Sequence, residues 1–293
     1  MESFKKMVTR KVSNMNLKLQ LNQLKSRNIG TLVEADLKYL IHNMLDNIGS
    51  VDPVLRDNLI YPTFIRIFNE NLLTFEQYWS ILEICLDENH LFYKIGELNT
   101  DSVFTRSFSS LVITGILIKD SELNFLTLQN LECVMNRAII YMNVELDTRG
   151  YVEKKGWAHS IAHGADLLAS LASHPKIKEG LQFSKILHTV QQCLFKDATY
   201  TDDEDERLIF VIEALLEKGQ SEKELEQWVL QIFNSLDLIF EKEGFSNKFF
   251  QTKFNVANFI KTFYFRIGFK YGDCRIRELM AEKLKDLHHR VYA

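Results

Sequence analysis

Only three prolines, Pro53, Pro62 and Pro175, interrupt 293 residues. A proline inside a helix removes a backbone hydrogen bond and clashes with the preceding turn, so a chain with so few of them is free to run in long helices. The apolar residues use that freedom. Leu, Ile and Phe recur with gaps of three and four, the spacing of one helix face, and the alternating patterns and Asn-Gly or Asp-Gly turns of hairpins are missing. The sequence predicts an all-α protein, and an apolar share of 46% is ample for a continuous core.

The periodicity places helices over residues 31–47, 53–69, 74–86, 101–118, 121–146, 156–173, 176–195, 202–218, 221–241, 246–269 and 273–291. Thr74, Asp101, Ser121 and Ser221 stand where N-caps are expected, with Glu224 three residues after Ser221 as in a capping box. Pro53, behind Asp52, sits at a first-turn position where its missing N–H costs nothing. Helices joined by short loops, with a pair spacing of roughly 40–45 residues, suggest HEAT-like antiparallel helix pairs in an irregular α-solenoid. A globular multi-helix bundle is the alternative. Residues 1–30 carry seven basic residues against Glu2 and read as a basic, partly mobile arm, with a single helical-repeat domain over 31–293.

Several function classes lack support. The four cysteines lie far apart with no C-x-x-C pair, which indicates neither a zinc knuckle nor a disulfide framework and suits a reducing cytoplasm. The longest apolar run, Leu111 to Ile118, is eight residues, against the roughly 20 a membrane span needs, so the expectation is a soluble chain without a span. No Walker, dinucleotide-binding or nucleophile-elbow motif occurs. The net charge of −4 argues against duplex DNA. One stretch, Phe245 to Tyr271, interleaves ten aromatics with Lys248, Lys253, Lys261, Arg266 and Lys270. That mixture can stack bases, and it can equally pack the end of a helical array.

The stretch "GWAHSIAHGADLL" is the most unusual. If residues 156–173 form one helix at about 100° per residue, His163, Asp166, Ser170 and His174 all fall within about 60° of His159. Trp157, Ile161, Leu168 and Leu171 fall on the opposite, apolar face. From Trp157 to Ser173 there is no Lys, Arg, Glu or Gln, whereas a face open to bulk water is usually filled with such residues. The polar stripe is therefore expected to be semi-buried, with Trp157 in the core.

Three roles fit the stripe. Its groups can satisfy one another and neighbouring helices as a buried polar network. They can act as acid, base and orienting group, since an imidazole beside a carboxylate has a tunable pKa. Or His159, His163 and Asp166 can hold a divalent metal, although no motif requires a cofactor and Ser160 stands where a zinc protease needs Glu. Just upstream, Glu145, Asp147, Arg149, Glu153 and Lys155 lie around Gly150 and Gly156. Arg149 near a helix start can hold an anion, or simply pair with Asp147. Farther on, Glu206 or Arg207 borders an apolar run and can face inward.

The segment "DTRGYVEKKGWAHSIAHGADLL", with "RSFSSLV", "DPVLRD" and "DEDERL", resembles a family of bacterial proteins, mostly Gram-positive, catalogued only as a domain of unknown function. The resemblance spans roughly residues 30–290 and carries no activity with it. It marks Asp147, Arg149, Gly150, Tyr151, Gly156, Trp157, His159, His163 and Asp166, with Arg106, Glu206 and Arg207 outside the central motif. The expectation is a cytoplasmic binding or scaffold protein that takes a peptide, protein or small molecule on its inner helical surface. A hydrolase using His159, His163 and Asp166 is the alternative, with Asp147, Arg149, Tyr151, Trp157, Arg106, Glu206 and Arg207 as ligand contacts.

Overall fold

A computed structural model describes residues 16–178 and 180–293. Helices make up 72% of the described residues. After a helix through residues 16–25 (α1) come α2 (Glu34–Asp46), α3 (Pro53–Leu55), a π-helical turn (Arg56–Ile60), α4 (Tyr61–Asn69), α5 (Phe75–Cys85), α6 (Ser102–Leu123) and α7 (Leu128–Val144). A hairpin of two-residue strands, β1 (Tyr151–Val152) and β2 (Gly156–Trp157), separates these from α8 (Ser160–Ser173), α9 (Leu181–Leu194), α10 (Glu204–Glu217), α11 (Glu222–Glu243), α12 (Asn247–Tyr271) and α13 (Arg275–Tyr292). The first fifteen residues of the expected basic arm lie outside the described residues; residues 16–25 are helical, with Leu17, Leu21 and Leu24 in the core.

Each expected helical stretch contains a helix, and the caps explain the ends. Asp52 accepts from the N–H groups of Val54 and Leu55 behind Pro53, and Thr74 forms a reciprocal capping box with Gln77. Ser221 caps α11 through the Glu224 N–H. Of the other two expected starts, Ser121 is not used, and Asp101 stands at the N-cap of α6 without a side-chain cap bond. Ser121 bonds back to Leu117 within α6, which runs on to Leu123 and stops at the left-handed Asn124, while Thr127 with Asn130 opens α7. Asp101 makes no side-chain cap and instead pairs with Lys155.

α8 lies at the middle of the molecule. It packs against α6 on one side and α10 on the other, with α7 and α9 also touching it. α4 packs against α6, α12 against α10, α7 against α9, and α11 and α13 against α12 and each other. One hydrophobic core runs through all of this, from Leu17 to Leu287, and a small satellite of Val103, Phe104 and Ala158 sits under the hairpin.

Among the described residues α6 is the one helix long and apolar enough to cross a membrane, with a mean hydropathy of 1.2, and 89% of that window is buried inside the protein. Its serines explain how a buried helix stays polar: Ser109, Ser110 and Thr114 bond back to carbonyls one turn earlier.

Candidate functional site

Residues 145–159 do not enter α8 as helix. Tyr151 pairs with Trp157 and Val152 with Gly156, and the ladder continues through Ala158 N–H to Gly150 O (2.8 Å) and His159 N–H to Arg149 O (2.9 Å). The turn needs left-handed backbone at Lys154 (φ 64°) and Gly156 (φ 79°). At Gly156 a side chain would also come within 2.8 Å of Pro53 and Asp57, so glycine is required twice over. His159 is itself left-handed (φ 49°) and turns the chain into α8 at Ser160. The expected stripe is corrected here: His159 caps the helix instead of lying on its face, and Trp157, expected in the core, is 41% exposed on a strand.

The hairpin is tied down by buried charge. Arg56, fully buried in the π turn, donates from Nη1 to Ser50 O (2.6 Å) and from Nη2 to Lys155 O (2.6 Å) and Trp157 O (3.3 Å). Its guanidinium lies 4.1 Å from the Phe104 ring centroid and 4.8 Å from that of Phe108, with Asp57 as its counter-ion. A π turn inserts one extra residue into a helix; here it lies in the segment that delivers Arg56 to the hairpin carbonyls.

Arg106 and Glu145 form a second tie with neither side chain exposed to solvent. Arg106 donates to both carboxylate oxygens (2.6 and 2.8 Å), to Tyr93 O (2.9 Å) and to Ser102 Oγ (2.8 Å). Glu145 in turn accepts the Asp147 N–H at 3.0 Å. Asp147 and Arg149 do pair with each other (2.8 Å), and Arg149 also donates to Thr100 O, which leaves the Asp147 carbonyl to accept from Ser160 Oγ.

The histidines are bonded within the protein as well. Ser107 Oγ meets both Ala158 O and, at 2.7 Å, His163 Nδ1. A carbonyl cannot donate, so the hydroxyl proton goes to Ala158 and His163 must donate from Nδ1, leaving Nε2 without a proton while the ring is neutral. Burial holds the His163 pKa well below the usual imidazole value, assisted by nearby His159, Arg207 and Arg56. His159 donates from Nε2 to Asp202 O (2.8 Å), and burial lowers its pKa too. Asp166 binds Arg207 with both oxygens; burial raises its pKa against the pull of that arginine. His174, expected on the same stripe, caps the far end of α8 and pairs with buried Asp120 at 2.9 Å.

The rings form a continuous series: Tyr151 edge-on to Trp157, Trp157 stacked on His159 (4.3 Å), then His159 against His163 and His163 against Phe108. It passes from exposed Tyr151 into the core. Beside it, a groove of about 440 Å³ runs over α6, α8 and α10, floored by Leu111, Ala169 and Ala214 and bordered by Tyr61, Asp166 and Phe210.

The structure therefore brings His159, His163, Asp166 and Arg207 together and leaves Arg106, Asp147 and Arg149 as hairpin ties. Glu206 bonds Thr262 on α12. Among the described residues no three His, Cys, Asp or Glu side chains gather closely enough to hold a metal ion. Ser107 is fully buried with its proton committed to Ala158, so it offers no nucleophile. Arg56, Ser107, Tyr61 and Asp202 were not singled out by pattern. Two of them lie in the stretches that carry the family resemblance, Arg56 in "DPVLRD" and Ser107 in "RSFSSLV", and those stretches meet at the hairpin.

What these contacts define is a helical protein whose distinctive sequence segments build one buried polar framework. The chain belongs to the family described as "Protein of unknown function (DUF2785)", whose model matches residues 91–265. No curated protein and no solved structure matches it.

Proposed function

We propose that the protein is a helical-repeat binding protein that takes a peptide or small ligand in the groove over α6, α8 and α10. The observation that carries this reading is the division of labour in the motif. Its ionisable groups are bonded inside the protein, while the groove beside Asp166 has a concave shape and mixed apolar and charged walls. The order of contacts α4, α6, α8, α10, α12 supports a HEAT-like solenoid, with the groove on the face of that row. Four unpaired cysteines, two of them buried, suit a reducing cytoplasm.

The test is a thermal-shift screen of peptides and metabolites against the parent and against Ser170→Tyr, which fills the groove from a half-buried position. A hit that stabilises the parent and is lost in Ser170→Tyr, at unchanged intrinsic stability, supports the proposal. Hits that bind both proteins equally place binding elsewhere.

A further inference from the structure

Helix α12 is the last in the series α4, α6, α8, α10, α12, and one side of it carries a line of side chains that no other helix covers among the described residues. Thr262, Arg266 and Lys270 face α10, bonding Glu206, Glu213 and Glu217, while Lys253 and Tyr264 meet Tyr292 and Arg277 of α13. Between those two sides run Phe250 (42% exposed), Phe254 (43%), Asn258, Lys261, Phe265 (54%) and Phe269 (84%). Four phenylalanines on one open helix face form a contiguous apolar patch rather than the single scattered apolar residues that need no explanation.

The spacings along this line are four, four, three, four and four residues, the same read from either end. A twofold axis crossing α12 between Phe259 and Ile260 therefore maps the line onto itself. An antiparallel second copy would set Phe254 opposite Phe265, Phe250 opposite Phe269 and Asn258 opposite Lys261. This is the self-complementarity that a two-fold interface demands of a single surface.

We infer that the protein forms a homodimer through α12, with this stripe as the centre of an isologous interface. At the stated exposures the four rings present on the order of 400–500 Å² per chain, if a whole ring offers about 150–250 Å². Pairing buries roughly twice that from the rings alone, and the flanking atoms of α12 carry it toward the ~1,200 Å² at the lower end of specific interfaces. Lys261 is the one charge in the line and sits next to the axis. Two such ammonium groups repel across the dimer, so salt strengthens the association, opposite to its effect on nucleic-acid binding through cations.

Sedimentation velocity of the full chain from about 1 to 100 µM, suited to an interface at the small, weak end of the specific ones, tests the inference. The parent is expected to dimerise and to do so more tightly at high salt. Phe265→Asp/Phe269→Asp should weaken association at least a hundredfold with unchanged circular dichroism and melting, because both rings are exposed. Lys261→Met should tighten it. In a Cys133→Ser/Cys274→Ser background, mixing Phe254→Cys with Phe265→Cys chains should give a disulfide-linked dimer that neither forms alone. A parent that stays monomeric throughout, or a dimer indifferent to the aspartates, overturns the inference. So does a monomer whose stripe binds single-stranded RNA in a salt-weakened manner, which would assign the line to nucleic acid.

Discussion

Replacing Arg106 by Met asks whether the polar framework holds the fold. The substitution keeps much of the apolar stem but removes the guanidinium that binds Glu145 at 2.6 and 2.8 Å, Tyr93 O at 2.9 Å and Ser102 Oγ at 2.8 Å. Glu145 has no exposure to solvent, and the Asp147 N–H at 3.0 Å then becomes its chief remaining donor. Breaking a buried pair from one side costs about 3–5 kcal/mol, because a charge is left buried and uncompensated. For a chain of this length that corresponds to a melting shift of roughly 6–15 °C.

The assay is urea unfolding of parent, Arg106→Met and Arg106→Met/Glu145→Leu at about pH 7.5. The double variant should lose less than the single one. A single variant within about 1 kcal/mol of the parent, or a double variant at least as damaged as the single, would refute the reasoning.

Three further outcomes follow. Trp157→Ala should cost no more than about 1–1.5 kcal/mol, since the ring is only half-buried on the hairpin; a loss of about 3–5 kcal/mol in chemical denaturation would return it to the core. Gly150→Ala drives a methyl group into the Asp202 side chain, whose carbonyl holds His159, and should lose about 1–3 kcal/mol by overpacking, read as a lower denaturation midpoint. His163 and His159 both have folded pKa values below the usual imidazole range, so their neutral-state stability is complete above about pH 6.5. It should fall by up to about 1.4 kcal/mol per unit for each as the pH drops below that value. Melting curves at pH 7.5, 6.5 and 5.5 check this, and a flat profile contradicts it.

Much of the fold was legible because helix periodicity and caps are local. Asp52–Pro53 and Thr74–Gln77 act through atoms within four residues of one another, so spacing alone locates them. The start of α7 was misplaced because Ser121 and Thr127 are both competent caps; the left-handed Asn124 between them decides. The hairpin was missed for a related reason. "YVEKKGW" holds two strand residues, the turn Glu153–Lys155 and two more strand residues, the first of them glycine, and the helical period of the following segment masks so short a ladder. Once that period was extended back to Gly156, His159 and Trp157 were given faces they do not have. The ties of Arg56, Arg106 and Ser107 span 39 to 101 residues, and no local pattern reports a partner that far away.

The direct test of the framework is the chemical state of His163, read by long-range ¹⁵N–¹H correlation as pH is lowered. Donation from Nδ1 to Ser107 in a dry pocket predicts a neutral ring in the Nδ1–H form, unchanged through the range about pH 6–7 in which an ordinary imidazole titrates. A ring in the Nε2–H form, or one that titrates near neutrality, would contradict the account and make His163 the acid–base group of a reactive site.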